Sequence, residues 1–227
     1  MSEPPAGGPG PLVLVGGGEW RAGATFDAEM LERSGGEVVV LPTAAAYERP
    51  ERAVATAEEW ISSLGGRVRA CMVLTRADAE AADAAEVVRG ARFVYLSGGS
   101  PLHLRSVLKD SAVLHALVAA WHGGAVVAGS SAGAMVLTDP MVDPRGGALT
   151  VGLGMLEQLA VIPHFGHENA EKVHRSIALA APGLPVVGIP ERTALIRDPD
   201  GSWRQTGAGE VQVFVSGEPA GFDALPH

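Results

Sequence analysis

Residues 124–137 read GAVVAGSSAGAMVL. Ala125 to Ala128 form a short apolar run that Gly129 cuts off, and the small residues that follow are able to open a helix. The segment therefore reads as buried strand, tight turn and helix. Ser131 stands at the turn, with the spacing Gly129-x-Ser131-x-Gly133 of a nucleophile elbow. A serine on so sharp a strand-to-helix turn tolerates no bulk two positions away on either side. Its hydroxyl projects at the carboxyl end of the sheet, where the first free N–H of the helix, that of Ala132, points at any oxyanion nearby.

The chain before this turn supplies the sheet. Pro11 to Val15 is a short apolar strand ending in Gly16 to Gly18, and Ala24 to Arg33 has helical spacing, with Phe26, Met30 and Leu31 on one side. A strand over Glu37 to Leu41 stops at Pro42. Pro50 to Leu64 is then a helix whose buried face carries Ala53, Ala57, Trp60, Ile61 and Leu64. Arg67 to Leu74 is a third strand and Ala79 to Arg89 an Ala-rich helix. Arg92 to Leu96 is a fourth strand, running into the loop Ser97 to Pro101 and a single long helix over Leu102 to Trp121. Apolar strands alternating with amphipathic helices belong to a parallel sheet covered on both faces. The expected fold is a doubly wound α/β domain, with ligands in the crevice at the carboxyl ends of the strands.

Beyond the turn, Thr138 to Thr150 is a polar excursion, and a strand from about Leu159 to Ile162 reaches Pro163, His164 and Phe165. A helix is expected over Glu168 to Ala181. Short strands over Val186 to Ile189, Thr193 to Arg197, Trp203 to Gln205 and Gln212 to Val215 are expected to pair antiparallel and to make one mixed sheet.

Composition narrows the function. The 227 residues, 47% hydrophobic, suffice for one core, so a single domain over 11–227 is expected after a Pro- and Gly-rich flexible tail over 1–10. With 26 acidic against 17 basic residues the net charge of -9 disfavours nucleic acid and anionic membrane as partners. Cys71 is the only cysteine and lies in an apolar run, which points to a buried structural thiol and a cytoplasmic setting. No signal peptide and no apolar stretch of membrane-spanning length is found. No cofactor or metal is called for, and a homodimer is left open.

A serine hydroxyl needs a base. His103, His115 and His122 fall on or just after the long helix, where exposure is the ordinary explanation, and His227 is the terminus. His164, just beyond an apolar strand and after a proline, faces the crevice, with His167 a substitute three residues on. A metal site built from His164, His167, His174, Glu168 and Glu171 is the weaker reading, because most of these fall on a polar helix face. For the acid that orients the base, Glu191, Asp139 and Asp143 all remain open.

Three segments taken together resemble one family. They are Gly129 to Ala134, Gly152 to Leu156 followed by Pro163 to Phe165, and Gly188 to Ala194. In that order they are similar to the cyanophycinase and dipeptidase E group of serine peptidases, peptidase family S51, whose fold is class I glutamine amidotransferase-like and flavodoxin-like. The resemblance implies Ser131 as nucleophile, His164 as base, and Glu191 or Asp139 as acid. It also implies that the N–H groups of Gly99 and Ala132 form an oxyanion hole, and that substrates are short acidic peptides or an aspartate-arginine polymer. Gly17, Gly98, Ser100 and His167 are expected to meet substrate. Two departures stand out: Ser100 and Pro101 replace an acidic or amide residue and glutamine, and Arg175 alone represents the arginines expected after the histidine. The expected activity is hydrolysis of small peptides or related amides through an acyl-enzyme. The alternatives are a catalytically silent small-ligand-binding protein of the same fold or a glutamine amidotransferase-like amidase.

Overall fold

The structure is a computed structural model describing residues 8–146, 148–167 and 170–226. The expected tail up to Gly7, and the expectations for Glu168 and His227, fall outside the described residues. The elements run β1 (Leu12–Val15), α1 (Phe26–Ser34), β2 (Glu37–Leu41), α2 (Pro50–Ser63), β3 (Arg67–Ala70), α3 (Arg76–Ala79), α4 (Ala82–Arg89), β4 (Phe93–Leu96), α5 (Pro101–Leu108), α6 (Ala112–His122), β5 (Val126–Ser130) and α7 (Ala132–Leu137). After the elbow come β6 (Thr138–Asp139), β7 (Met141–Val142), β8 (Leu149–Thr150), β9 (Leu156–Glu157), β10 (Ala160–Pro163), α8 (Ala170–Ala178), β11 (Pro185–Ile189), β12 (Thr193–Arg197), β13 (Trp203–Gly207), β14 (Gln212–Val215) and β15 (Glu218–Ala220).

A seven-stranded sheet of order β13-β12-β1-β5-β4-β2-β3 forms the centre. Strands β1 to β5 are parallel, and β12 and β13 extend the sheet antiparallel beyond β1. Side chains alternate across β1. Leu12 and Leu14 enter the core that α4 to α7 cover, whereas Val13 and Val15 enter the core under α1 and α2. All four are fully buried, so each contributes roughly 1.5–3 kcal/mol relative to exposure.

The expectation of one mixed sheet needs correction. Strand β11 leaves the main sheet and pairs parallel with β10 and antiparallel with β14, giving a second, four-stranded sheet of order β10-β11-β14-β15. The chain crosses from the second sheet to the first between β11 and β12, at Pro190 to Arg192, where Arg192 takes a left-handed φ of 56°.

Other boundaries also move for local reasons. The long helix breaks into α5 and α6 because Asp110 adopts φ 57° and the Ser111 hydroxyl accepts the Leu114 N–H at 3.0 Å, capping a new start. Arg76 secures the break by donating to the carbonyls of Lys109 and Asp110. The helix expected over Ala79 to Arg89 is likewise two pieces, the first opened by a capping box between Thr75 and Asp78. Strand β3 ends at Ala70 rather than Leu74, for it lies at the sheet edge with β2 as its one neighbour there, and β2 stops before Pro42. Gly10, assigned to the loose tail, is buried. Its N–H donates to Trp121 O at 2.8 Å and its carbonyl accepts from Trp121 Nε1 at 2.7 Å. Cys71 is buried, which pushes its thiol pKa up and away from reactivity.

Candidate active site

Ser131 sits between β5 and α7 with φ 50° and ψ −107°, outside the regions that a serine adopts without cost. Such strain costs about 1–3 kcal/mol and persists only where the surroundings impose it. Here the Ser131 N–H donates to Val15 O at 2.9 Å, and its carbonyl accepts from Met135 N–H at 3.0 Å. The flanking glycines are required by contact. A Cβ on Gly129 would lie 2.5 Å from the Gly133 carbonyl carbon, and one on Gly133 would lie 2.4 Å from Leu96 O in β4.

His164 follows β10, also at a positive φ of 52°. Its N–H donates to Gly16 O at 2.7 Å, and Phe165 N–H donates to Ile189 O at 3.1 Å, so the turn is tied to both sheets. The imidazole lies over Gly17, where a Cβ would stand 2.2 Å from ring Cε1. Glycine at 17 therefore makes room for the ring rather than for substrate. Glu191 lies in the crossover between β11 and β12, and the next residue's N–H, on Arg192, donates to Gly17 O at 2.7 Å. Three successive carbonyls at the end of β1, those of Val15, Gly16 and Gly17, thus fix Ser131, His164 and the turn that bears Glu191.

The side chains meet in a line. Ser131 Oγ is 2.8 Å from His164 Nε2, and His164 Nδ1 is 2.9 Å from Glu191 Oε1. A carboxylate only accepts, so Nδ1 donates to Glu191, which leaves Nε2 to accept the serine O–H. The His164 hydrogen bond holds the Glu191 carboxyl below the usual range, with His167 and Arg21 adding smaller pulls in the same direction. The two other candidate acids are engaged elsewhere. Asp139 accepts the Gly152 N–H at 3.3 Å, while Asp143 is clasped by Arg145 at 2.6 and 2.9 Å.

Ala132 opens α7, so its N–H has no partner one turn back, and the Gly99 N–H meets no acceptor among the described residues. The loop after β4 differs from expectation. Gly98 N–H is taken by Glu19 Oε1 at 3.1 Å. Ser100 donates its N–H to Ala44 O, and its hydroxyl caps α5 by accepting the His103 N–H. Both residues, expected to meet substrate, thus have these groups engaged within the protein. His167 is exposed on the turn closed by its N–H to His164 O at 2.9 Å. Glu19 went unremarked in the sequence; the available signal was a carboxylate directly after three glycines at a strand's carboxyl end.

A cavity of about 230 Å³ opens beside Ser131, walled by Pro101, Met135, Val142, Pro144 and Ile162 and reached by Lys172. Arg175 contributes nothing to it, being paired with Glu171 on an exposed helix face. Among the described residues no three of His, Cys, Asp and Glu converge as a metal site would require.

The family model for "Peptidase family S51" matches residues 12–202. A cyanophycinase from Synechococcus elongatus is 28% identical over 221 residues, covering 92% of this chain and 69% of that protein. A peptidase E from Citrobacter koseri is 31% identical over 61% of this chain and 66% of its own. Among solved structures, a peptidase from an acI-B1 actinobacterium superposes with a TM-score of 0.84 at 27% identity, covering 94% of this chain and 93% of that one. With the family model spanning most of its length, and with peptidases among its relatives in both sequence and structure, the chain belongs to peptidase family S51.

Proposed function

We propose that this protein is a serine peptidase of short peptides, with Ser131 as nucleophile, His164 as general base and acid, and Glu191 as the acid that orients the ring. The hydrogen-bonded line from Ser131 Oγ through His164 to Glu191, at 2.8 and 2.9 Å, carries this reading. Ser131 Oγ attacks the scissile carbonyl carbon while its proton passes to His164 Nε2. Glu191 stabilises the imidazolium that forms. The N–H groups of Gly99 and Ala132 donate hydrogen bonds to the developing oxyanion. When the tetrahedral intermediate collapses, the C–N bond breaks and His164 returns its proton to the leaving amine. Water then cleaves the acyl-serine ester by the same proton path, freeing the acid product and Ser131.

The cavity beside Ser131 supports a substrate side chain of modest size against apolar walls, with Lys172 as the nearby cation in place of the arginines expected after the histidine. Short peptides fit a cavity of about 230 Å³ beside the hydroxyl. Turnover of a dipeptide and tripeptide panel by wild-type protein, and its loss in a folded Ser131→Ala variant, tests the reading. Turnover that persists in Ser131→Ala, or none in the wild type across the panel, overturns it.

A further inference from the structure

One acidic side chain beside the nucleophile takes no part in the proton path. Glu19, half-buried after the glycine triplet, accepts the Gly98 N–H on Oε1 at 3.1 Å and the Ser130 hydroxyl on Oε2 at 2.7 Å. Gly98 directly precedes Gly99, and the fully buried Ser130 directly precedes Ser131. A single carboxylate therefore ties the loop after β4 to the turn after β5. The fit is close, since a Cβ on Gly98 would lie 3.1 Å from Glu19 Oε1 and 3.5 Å from Ser131 Cβ.

The tie matters because of what joins Gly98 to Gly99. That peptide unit carries the Gly99 N–H, and with glycine on both sides its plane is unusually free to rotate. A rotation by half a turn would present a carbonyl where the oxyanion needs a donor, whereas stabilisation of this kind depends on donors already in place. The unit and its two neighbours in the chain are each held once. Glu19 takes the Gly98 N–H on the peptide before it, the Ser97 hydroxyl donates to the unit's own Gly98 O at 3.2 Å, and Ala44 O accepts the Ser100 N–H on the peptide after it at 2.8 Å. The first is charge-assisted and so the strongest of the three, and it alone also reaches the elbow.

We propose that Glu19 is a positioning residue whose carboxylate keeps the Gly98–Gly99 peptide and the Ser130–Ser131 turn in one register, aiming the Gly99 N–H at the oxyanion. This rests on the serine-peptidase reading of Ser131. The test compares Glu19→Ala and Glu19→Gln in the full chain by steady-state kinetics on a turned-over peptide and by amide hydrogen exchange at residues 97–100. In Glu19→Ala, kcat falls about tenfold to a hundredfold, with KM within about twofold of wild type, because the donor acts on the transition state. Glu19→Gln, whose amide keeps one acceptor oxygen, lies between the two. The Gly98 amide, whose acceptor is Glu19, exchanges at least about tenfold faster in both variants, as expected of a loop released from its tether. If Glu19→Ala does not fold, Glu19→Gln decides alone. Unchanged exchange with unchanged kcat overturns the proposal, as does a rise in KM at constant kcat, which would make Glu19 a substrate contact. Should the wild type turn over no peptide, the peptidase reading fails, and exchange in Glu19→Gln still decides the tether: faster supports it, unchanged refutes it.

Discussion

The seven-stranded sheet and the seam where it meets the four-stranded sheet build the site by different means. Ser131 is shaped by its own neighbourhood, with Gly129 and Gly133 clearing the turn and α7 starting one residue later. His164 and Glu191 lie 33 and 27 residues apart from their bonded partners in the chain and come from the second sheet and the crossover out of it. They arrive because Val15, Gly16 and Gly17 offer one carbonyl to each loop in turn. The Ser131 turn is thus a local device. His164 and Glu191 arrive by register along β1.

That contrast ranks the consequences of mutation. Ser131→Ala removes the local device entirely, and peptide turnover should fall by a factor on the order of a million, measured against protein of unchanged circular dichroism. Glu191→Gln leaves the fold alone but spoils the ring's tautomer and orientation, so kcat should fall by up to about ten-thousandfold, while Asp139→Asn should leave it within a few-fold. A large loss in Asp139→Asn with little in Glu191→Gln would move the acid to the excursion after the elbow. Gly17→Ala is the sharper test of the seam, since its methyl would meet the imidazole at 2.2 Å. A displaced ring should cost about a hundredfold in kcat, and because Gly17 sits at φ 118° the melting temperature should fall as well.

How much of this was legible follows the same division. The parallel half could be read from apolar strands alternating with amphipathic helices, and Ser131 from glycine spacing, because both signals repeat or close within a few residues. The allotment of β11 to one sheet and β12 to another could not be read, since both are short apolar runs and only their partners differ. The same blindness explains Glu19. Its meaning lies in two bonds to Gly98 and Ser130, 79 and 111 residues away. The break at Asp110 was hidden for a smaller reason, because helical spacing of apolar residues continues through a residue whose backbone has turned left-handed.

The smallest expected effect lies behind the site. Asp27 is buried in the first turn of α1, accepts the Trp60 indole N–H at 2.9 Å, and has its other oxygen unpartnered among the described residues. Burial pushes its pKa up to about 7, and the charge of Glu19 adds to the rise. A raised carboxyl favours the folded state below the ordinary value of 3.8, and that contribution drains away as pH climbs from there through about 7. Relative to wild type, Asp27→Asn should therefore gain stability as pH rises from about 5 to 8, by at most a few kcal/mol. Denaturant melts at both pH values read it directly, and parallel curves would refute the buried ionisation.

The central claim is that a hydroxyl on the main sheet is activated by a histidine brought from the other. Treating the protein with a peptidyl phosphonate and mapping the adduct by mass spectrometry tests it most directly. The expected result is a tag on Ser131 in the wild type, forming at least about a thousandfold more slowly in folded His164→Ala. A tag elsewhere in the chain, or one on Ser131 that forms equally fast without His164, would contradict it.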